Sequence, residues 1–277
     1  MSKQRLDLLL VEREFYTTRQ QAQRAIRAGL VFVNGNRVDK PGTEVKREAR
    51  LDARQPNRFV SRGGEKLLKA LETFEIDVCD RDCLDGGIST GGFTDCLLQA
   101  GARRVYGIDV GYGQVAWKLR QDPRVVLRER TNIRHLKPEE LYGTDSATIP
   151  TLGCADVSFI SLVKVLGSLW QLLGPPREVV LLVKPQFEVG RDRVGKKGVV
   201  RDPGDRAWAI AAVLQAAQGC GWSYRGLTWS PLTGPAGNVE YLLWLSQPPE
   251  NWVEEGPSFE KILQIATAAG EALAKSK

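Results

Sequence analysis

The segment best suited to hold a nucleoside cofactor is Cys83–Thr94, CLDGGISTGGFT. An apolar run ends at Leu84-Asp85, a glycine-rich turn follows, and a helix is expected from about Gly91. Glycine lets backbone approach a ligand closely, and a helix N-terminus presents free N–H groups. Twenty-four residues after Asp85, Asp109 ends a second apolar run, VYGID. A carboxylate at such a strand end can accept hydrogen bonds from both hydroxyls of a ribose. The turn itself, GGISTGG at 86–92, is not the GxGxxG that cradles a pyrophosphate. S-adenosylmethionine has no pyrophosphate, so it suits this turn better than NAD. A purely structural glycine turn stays open at this point.

Two more groups stand where strands should end. Asp156 closes CADVSF and Lys184 closes VVLLVKPQF. Doubly wound sheets bind ligands outside strand C-termini, at the point where strand order reverses. A lysine after five consecutive apolar residues is either a site residue or a salt-bridged strand end. Glu240 in GNVEYLLWL and Lys66 in VSRGGEKLLKAL could complete a polar cluster, although each alone reads as ordinary surface.

The elements that must carry these groups follow from periodicity. Apolar runs predict strands at 82–86, 104–109, 124–128, 153–157, 178–184, 223–229 and 239–246. Helices are expected near 64–74, 91–101, 112–121, 160–173 and 204–219, with an amphipathic helix over 258–275. This alternation predicts an α/β, doubly wound, mostly parallel sheet. The last two strands flank Pro231, Gly234 and Gly237, a spacing that suits an antiparallel closing pair. Ahead of this region, 5–13 and 17–29 read as short helices. Thr17 or Thr18 can cap the second and Gly29 can end it. Val31, Val33 and Val38 around Asn34-Gly35 predict a hairpin. Residues 46–58, including Pro56, read as a short strand and a linker.

Charge divides the chain in the same place. Residues 1–70 hold 16 Lys+Arg against 8 Asp+Glu, whereas 71–277 hold 23 against 25. A basic first quarter ahead of a neutral remainder points to a polyanion-binding end, with a solvated basic face as the alternative. Length and 42% hydrophobic residues allow two unequal domains with a sizeable core. Five cysteines without a CxxC pair and one histidine, His135, give no zinc set, so no metal is expected. Cys83 and Cys96 read as buried small hydrophobes rather than nucleophiles. Trp117 reads as core more readily than as pocket lining. The start, MSKQRLDLLLVERE, lacks the apolar core of a secretion signal, and no run is long enough to span a membrane. The cytoplasm is the expected compartment.

Taken together, the blocks resemble the TlyA-type ribosomal RNA 2′-O-methyltransferases, historically called haemolysin A. That family joins an S4 RNA-binding domain to an FtsJ-like methyltransferase domain. RLDLLLVE, TTRQQAQRAI and VFVNG resemble S4. VSRGGEKL, STGGFTDCLL, DVGYGQVAW, RERTNIR, DVSFISL, VKPQFEVG, GVVRDP and SPLTGPAGNVEY resemble the family's ordered landmarks across nearly the whole chain. One departure is Ile88, where the family's turn usually carries alanine.

The resemblance implies a small α+β S4 domain over 1–58 and a Rossmann-like class I methyltransferase domain with a seven-stranded sheet over 59–277. It implies a catalytic set of Lys66, Asp156, Lys184 and Glu240, with Lys69 a neighbouring competitor for the first role. S-adenosylmethionine would be held by Asp85, Gly87, Ser89, Thr90, Gly91, Gly92, Asp109, Val110 and Asn132. Arg5, Arg19, Arg24, Arg27 and Arg37 would grip RNA phosphates. The implied partner is ribosomal RNA or a ribosomal subunit, the acceptor a cytidine 2′-hydroxyl, and the oligomeric state monomer or homodimer. Lys184 is then a general base or a positioning group. The rival functions are a non-catalytic RNA-binding or ribosome-assembly protein with a methyltransferase-like fold, and an NAD(P)-dependent oxidoreductase.

Overall fold

Short helices in water need a packed face and satisfied ends, and the first segment supplies both. Thr18 accepts a hydrogen bond from the Gln21 amide at 3.3 Å and starts a helix whose buried face is Ala22, Ala25 and Ile26. The computed structural model describes residues 2–54, 57–143, 149–248 and 256–275. The chain divides into two compact units, Met1–Arg58 and Phe59–Lys277.

The first unit runs β1 (Lys3–Arg5), α1 (Leu6–Glu12), α2 (Arg19–Arg27), β2 (Val31–Val33), β3 (Asn36–Arg37), β4 (Glu44–Lys46) and β5 (Leu51–Ala53). Strands β1 and β4 pair antiparallel, and β3, β2 and β5 form a second antiparallel sheet. Asn34 (φ 51°) and Gly35 (φ 81°) both lie in the left-handed region, as the two-residue turn that joins β2 to β3 requires. Leu6, Leu9, Leu10, Ile26, Val31 and Leu51 form the core. Of the expected linker 46–58, Pro56 lies outside the described residues.

The second unit begins with α3 (Gly63–Phe74), then β6 (Asp82–Gly86), α4 (Gly92–Gln99), β7 (Arg104–Ile108), α5 (Trp117–Arg120) and β8 (Val125–Arg128). It continues with α6 (Pro138–Tyr142), β9 (Leu152–Ala155), α7 (Leu166–Leu172), β10 (Glu178–Val183), α8 (Pro185–Glu188), α9 (Pro203–Gly219), β11 (Ser223–Trp229), β12 (Tyr241–Ser246) and α10 (Phe259–Lys275). Seven strands form one sheet in the order β11-β12-β10-β9-β6-β7-β8. Strand β12 runs antiparallel to both neighbours and the other pairings are parallel. Strand order therefore reverses between β6 and β9.

Both faces of the sheet are covered, which is why its central strands read as continuous apolar runs. Val179, Leu181 and Val183 of β10 join the core that includes α7, α9 and α10. Val180 and Leu182 face the other way, into the core with Leu67 and Leu71 of α3 and Leu97 of α4. Each such side chain, fully buried, stabilises the fold by about 1.5–3 kcal/mol.

The clearest departure from expectation is the helix predicted over 112–121, which forms only at Trp117–Arg120. The Gly111 amide donates to Asp109 Oδ1 and the Gly113 amide to Glu129 Oε1, both at 2.7 Å. With Gly113 at φ 73° as well, the backbone after β7 is drawn around the strand end instead of into a helix. The stretch expected to be helical over 160–173 splits into a 3-10 turn at Leu162–Lys164 and α7. No helix among the described residues is long and apolar enough to cross a membrane.

Candidate active site

Strand β6 delivers the glycine turn to the reversal point of the sheet. Gly87 has φ +87°, and a Cβ there would stand 2.6 Å from the Asp156 carbonyl oxygen, so a side chain is excluded on both counts. Gly91, at φ +95°, starts α4. The departure at Ile88 has a local answer in Gly107 of the neighbouring β7. A Cβ on Gly107 would lie 2.4 Å from Ile88 Cδ1, so the missing methyl makes room for the larger side chain. Gly107→Ala should therefore lower stability by about 1–3 kcal/mol through overpacking. Equilibrium unfolding in urea measures the loss, and an unchanged midpoint would show that Ile88 can move aside.

Asp85 sits beneath the turn rather than in a cleft. It is fully buried, and its Oδ2 accepts from Thr94 Oγ1 at 2.7 Å. Burial pushes its carboxyl up to about 7. The unfolded chain would ionise near 4, so the folded state holds the proton longer. Asp85 then costs nothing below about pH 4, and its cost grows as pH rises toward 7. Asp85→Asn should flatten that part of the stability profile. Denaturant midpoints of wild type and variant should converge at pH 4 and separate by pH 7, and parallel profiles would mean that Asp85 does not titrate there.

Two clefts meet at this turn. The larger, about 500 Å³, is lined by Gly87, Ser89, Ile108, Asp109, Val110 and Asn132, among others. Asp109 Oδ2 accepts from the Ser89 amide and its Oδ1 from the Gly111 amide, each at 2.7 Å. These two bonds set the carboxylate at the cleft wall and tie the glycine turn to the end of β7. The smaller cleft, about 210 Å³, takes in Ser61, Arg62, Lys66, Thr90, Gly92 and Thr233. Gly87, Ser89 and Asp156 line both. Asp85 and Gly91 line neither.

The four groups suggested by resemblance form two ion pairs. Lys184, at the end of β10, places Nζ 2.6 Å from Asp156 Oδ1 and 2.7 Å from Ser158 Oγ. Lys66, on α3, places Nζ 2.5 Å from Glu240 Oε2, just ahead of β12. It is Lys66, not the exposed Lys69, that meets Glu240. Lys184 and Glu240 are both buried. Glu188 of α8 accepts from Ser161 Oγ at 2.6 Å and from the Leu162 amide at 2.9 Å. It thereby fastens the segment after Asp156 to the helix that follows Lys184. Burial raises the Glu188 carboxyl. Ser61, Arg62, Ser158, Glu188 and Thr233 were not singled out from sequence. Only Ser158 carried a signal, two residues after Asp156.

Other expectations divide. Burial pushes the Cys83 thiol up to about 12, as suits an inert core cysteine. Trp117 is neither core nor pocket lining, being 73% exposed. In the first unit, Arg5 and Arg19 both bond Asp7, a fully buried carboxylate. Gln23 adds a third donor at 2.7 Å. The Arg5 guanidinium is the main reason that Asp7 stays far below the ordinary carboxylate range. Arg5 and Arg19 thus each bond a buried carboxylate while about half of each side chain stays exposed. Arg24, Arg27 and Arg37 are exposed and have no acidic partner among the described residues.

Comparison with known proteins agrees with this layout. Residues 59–247 match the FtsJ-like methyltransferase family and residues 4–51 match the S4 domain. YqxC of Bacillus subtilis is 47% identical over 99% of this chain and 97% of its own length. The 16S/23S rRNA (cytidine-2′-O)-methyltransferase TlyA of Mycobacterium tuberculosis is 49% identical over 87% of this chain and 89% of its own length. A solved structure from Streptococcus thermophilus superposes with a TM-score of 0.75 at 39% identity, covering 100% of this chain and 98% of that one.

Proposed function

The chain belongs to the FtsJ-like methyltransferase family and carries an S4 domain ahead of it, and from that premise we propose that it methylates a cytidine 2′-hydroxyl of ribosomal RNA with S-adenosylmethionine, in the cytoplasm. The observation that carries this reading is the meeting of two clefts at Asp156, which is ion-paired to Lys184.

The larger cleft suits an adenosyl group. Gly87 leaves the turn open to close approach, Asp109 offers acceptors to ribose hydroxyls, and Ile108, Ile133, Val157 and Ile160 supply apolar walls. Asn132, whose Oδ1 accepts from the Arg134 amide at 3.0 Å, offers its side-chain NH2 at the adenine end. Asp85 supports the turn from below through Thr94. S-adenosylmethionine, when bound, supplies an already activated methyl group on a sulfonium. The chain's task is then to hold the acceptor oxygen and to favour its deprotonation.

Lys184 does both from its place against Asp156 and Ser158. Its ammonium would stabilise the negative charge developing on the 2′-oxygen while the hydroxyl proton passes to the Asp156 carboxylate or to water and S-adenosylhomocysteine leaves as the methyl carbon is transferred, and a fixed donor outside bulk water is worth more than one in it. Asp156 aims the lysine, and the Lys66–Glu240 pair places a second cation beside the smaller cleft, where the acceptor ribose enters. Proximity supplies much of the remaining acceleration. The first unit grips the RNA backbone through Arg24, Arg27 and Arg37.

Labelled methyl transfer from S-adenosylmethionine to unmodified ribosomal subunits tests this directly. The expected product resists alkaline cleavage at one cytidine. Cofactor binding with no transfer to either subunit would favour a ribosome-assembly role instead.

A further inference from the structure

Eleven residues after β10 and α8 carry the highest net positive charge of any stretch of that length in the second unit. Residues 191–201, RDRVGKKGVVR, hold five basic side chains and one acid. The unit as a whole is balanced, with 26 Lys+Arg and 26 Asp+Glu over 59–277.

The segment is built, not loose. The Gly195 amide donates to the Val199 carbonyl at 3.1 Å, so Lys196-Lys197-Gly198 forms the tip of a tight hairpin. Lys197 adopts φ 69°, a left-handed conformation that a lysine enters only when its surroundings demand it. The demand comes from Asn238, which is buried. Its Oδ1 accepts from the Val200 amide at 2.9 Å and its Nδ2 donates to the Gly198 carbonyl at 2.8 Å. Asn238 lies two residues before Glu240, so the hairpin is fastened to the segment that ends in an active-site carboxylate. At its other end the hairpin follows Lys184 by way of α8. Arg193 is spent on Asp205 and the Trp208 ring. Arg191, Lys196, Lys197 and Arg201 are exposed and have no acidic partner among the described residues.

We propose that this hairpin is a second RNA-backbone site, at which Lys196 and Lys197, flanked by Arg191 and Arg201, bind phosphates of the acceptor strand beside the nucleotide being methylated. The ligand is a nucleic-acid phosphate because the donors are spaced charges on a fixed exposed tip, as a repeating phosphate backbone requires. Contacts of this kind set register and are paid for in salt dependence. The inference rests on the proposed RNA methylation for its purpose, but its test does not.

The experiment is binding of the full-length protein to unmodified ribosomal subunits across a salt series, beside methyl transfer at fixed salt. The Lys196→Gln/Lys197→Gln double variant is compared with Lys196→Arg/Lys197→Arg and wild type. The slope of log affinity against log salt should fall in magnitude by about 2 in the Gln pair. Near physiological salt its affinity should fall about tenfold, with KM for RNA raised, kcat nearly kept and S-adenosylmethionine affinity unchanged. The Arg pair should behave as wild type. Equal slopes for the Gln pair and wild type would overturn the proposal and mark the tip as merely solvated, whether or not methyl transfer is seen. Loss of binding in the Arg pair as well would also overturn it, since the hairpin's shape and not its charge would then be at issue. Absence of methyl transfer by wild type with the slope change intact would sink the enzymatic reading and leave the phosphate site standing.

Discussion

Lys184→Ala is expected to lower the rate of methyl transfer by about a hundred- to a thousandfold while leaving S-adenosylmethionine bound. The lysine's Nζ is held by an ion pair with Asp156 at 2.6 Å and a hydrogen bond donated to Ser158 Oγ at 2.7 Å. Truncation removes the cation paired with Asp156 and leaves that carboxylate facing the acceptor oxygen, where it would repel developing charge. The cost should therefore appear in kcat and not in cofactor affinity, because Lys184 does not line the larger cleft. Lys184→Arg separates charge from shape, since a planar guanidinium keeps the charge but not the single-point geometry. Single-turnover transfer with saturating cofactor reads the chemical step. If Ala and Arg variants both turn over near the wild-type rate, the ion pair is structural and the acceptor is activated elsewhere.

The second large effect is expected at Asp109. Asp109→Ala should weaken S-adenosylmethionine binding by about thirty- to a thousandfold, equivalent to roughly 2–4 kcal/mol. Two losses combine. The ribose hydroxyls lose a charged acceptor, and the Ser89 and Gly111 amides lose the carboxylate that positions both sides of the cleft. Asp109→Asn keeps one acceptor but turns an NH2 toward an amide donor, so it should fall between wild type and Ala. Calorimetric titration with S-adenosylmethionine, and RNA binding measured on the same samples, separate a local from a global effect. An unchanged cofactor affinity in Asp109→Ala would move the ribose contact away from this strand end.

What could be read in sequence follows from what periodicity encodes. Apolar runs such as Cys83-Leu84, Leu152–Ala155 and Val179–Val183 are each followed at once by a polar residue, so Asp85, Asp156 and Lys184 stood out. Strand ends were legible, but their facing was not. Asp85 and Asp109 end adjacent strands in similar local sequence, yet one is buried under the turn and the other lines a cleft. The difference is set by Thr94, nine residues on, whose hydroxyl draws Asp85 inward. The helix expected over 112–121 begins only at Trp117 because Gly113, at φ 73°, turns the backbone out of the helical path. Lys66 and Glu240 each read as ordinary surface and entered only as possible additions to a polar cluster, because 174 residues separate them; the resemblance gave them their role. Basic character in the first unit was legible as a total. It did not reveal that Arg5 and Arg19 converge on Asp7, which is a matter of tertiary contact.

Strand order carries a consequence for how the protein is made. Strand β12 enters the sheet between β10 and β11, although it follows both in sequence, and Glu240 immediately precedes it. A nascent chain leaving the ribosome from its N-terminus thus exposes the open edge of β10 until nearly the whole domain has emerged. Lys66 appears early and waits through most of translation for its carboxylate. The enzyme would have no assembled centre until its own synthesis is almost complete, so a truncated product would be inert by construction, however well its glycine turn had formed.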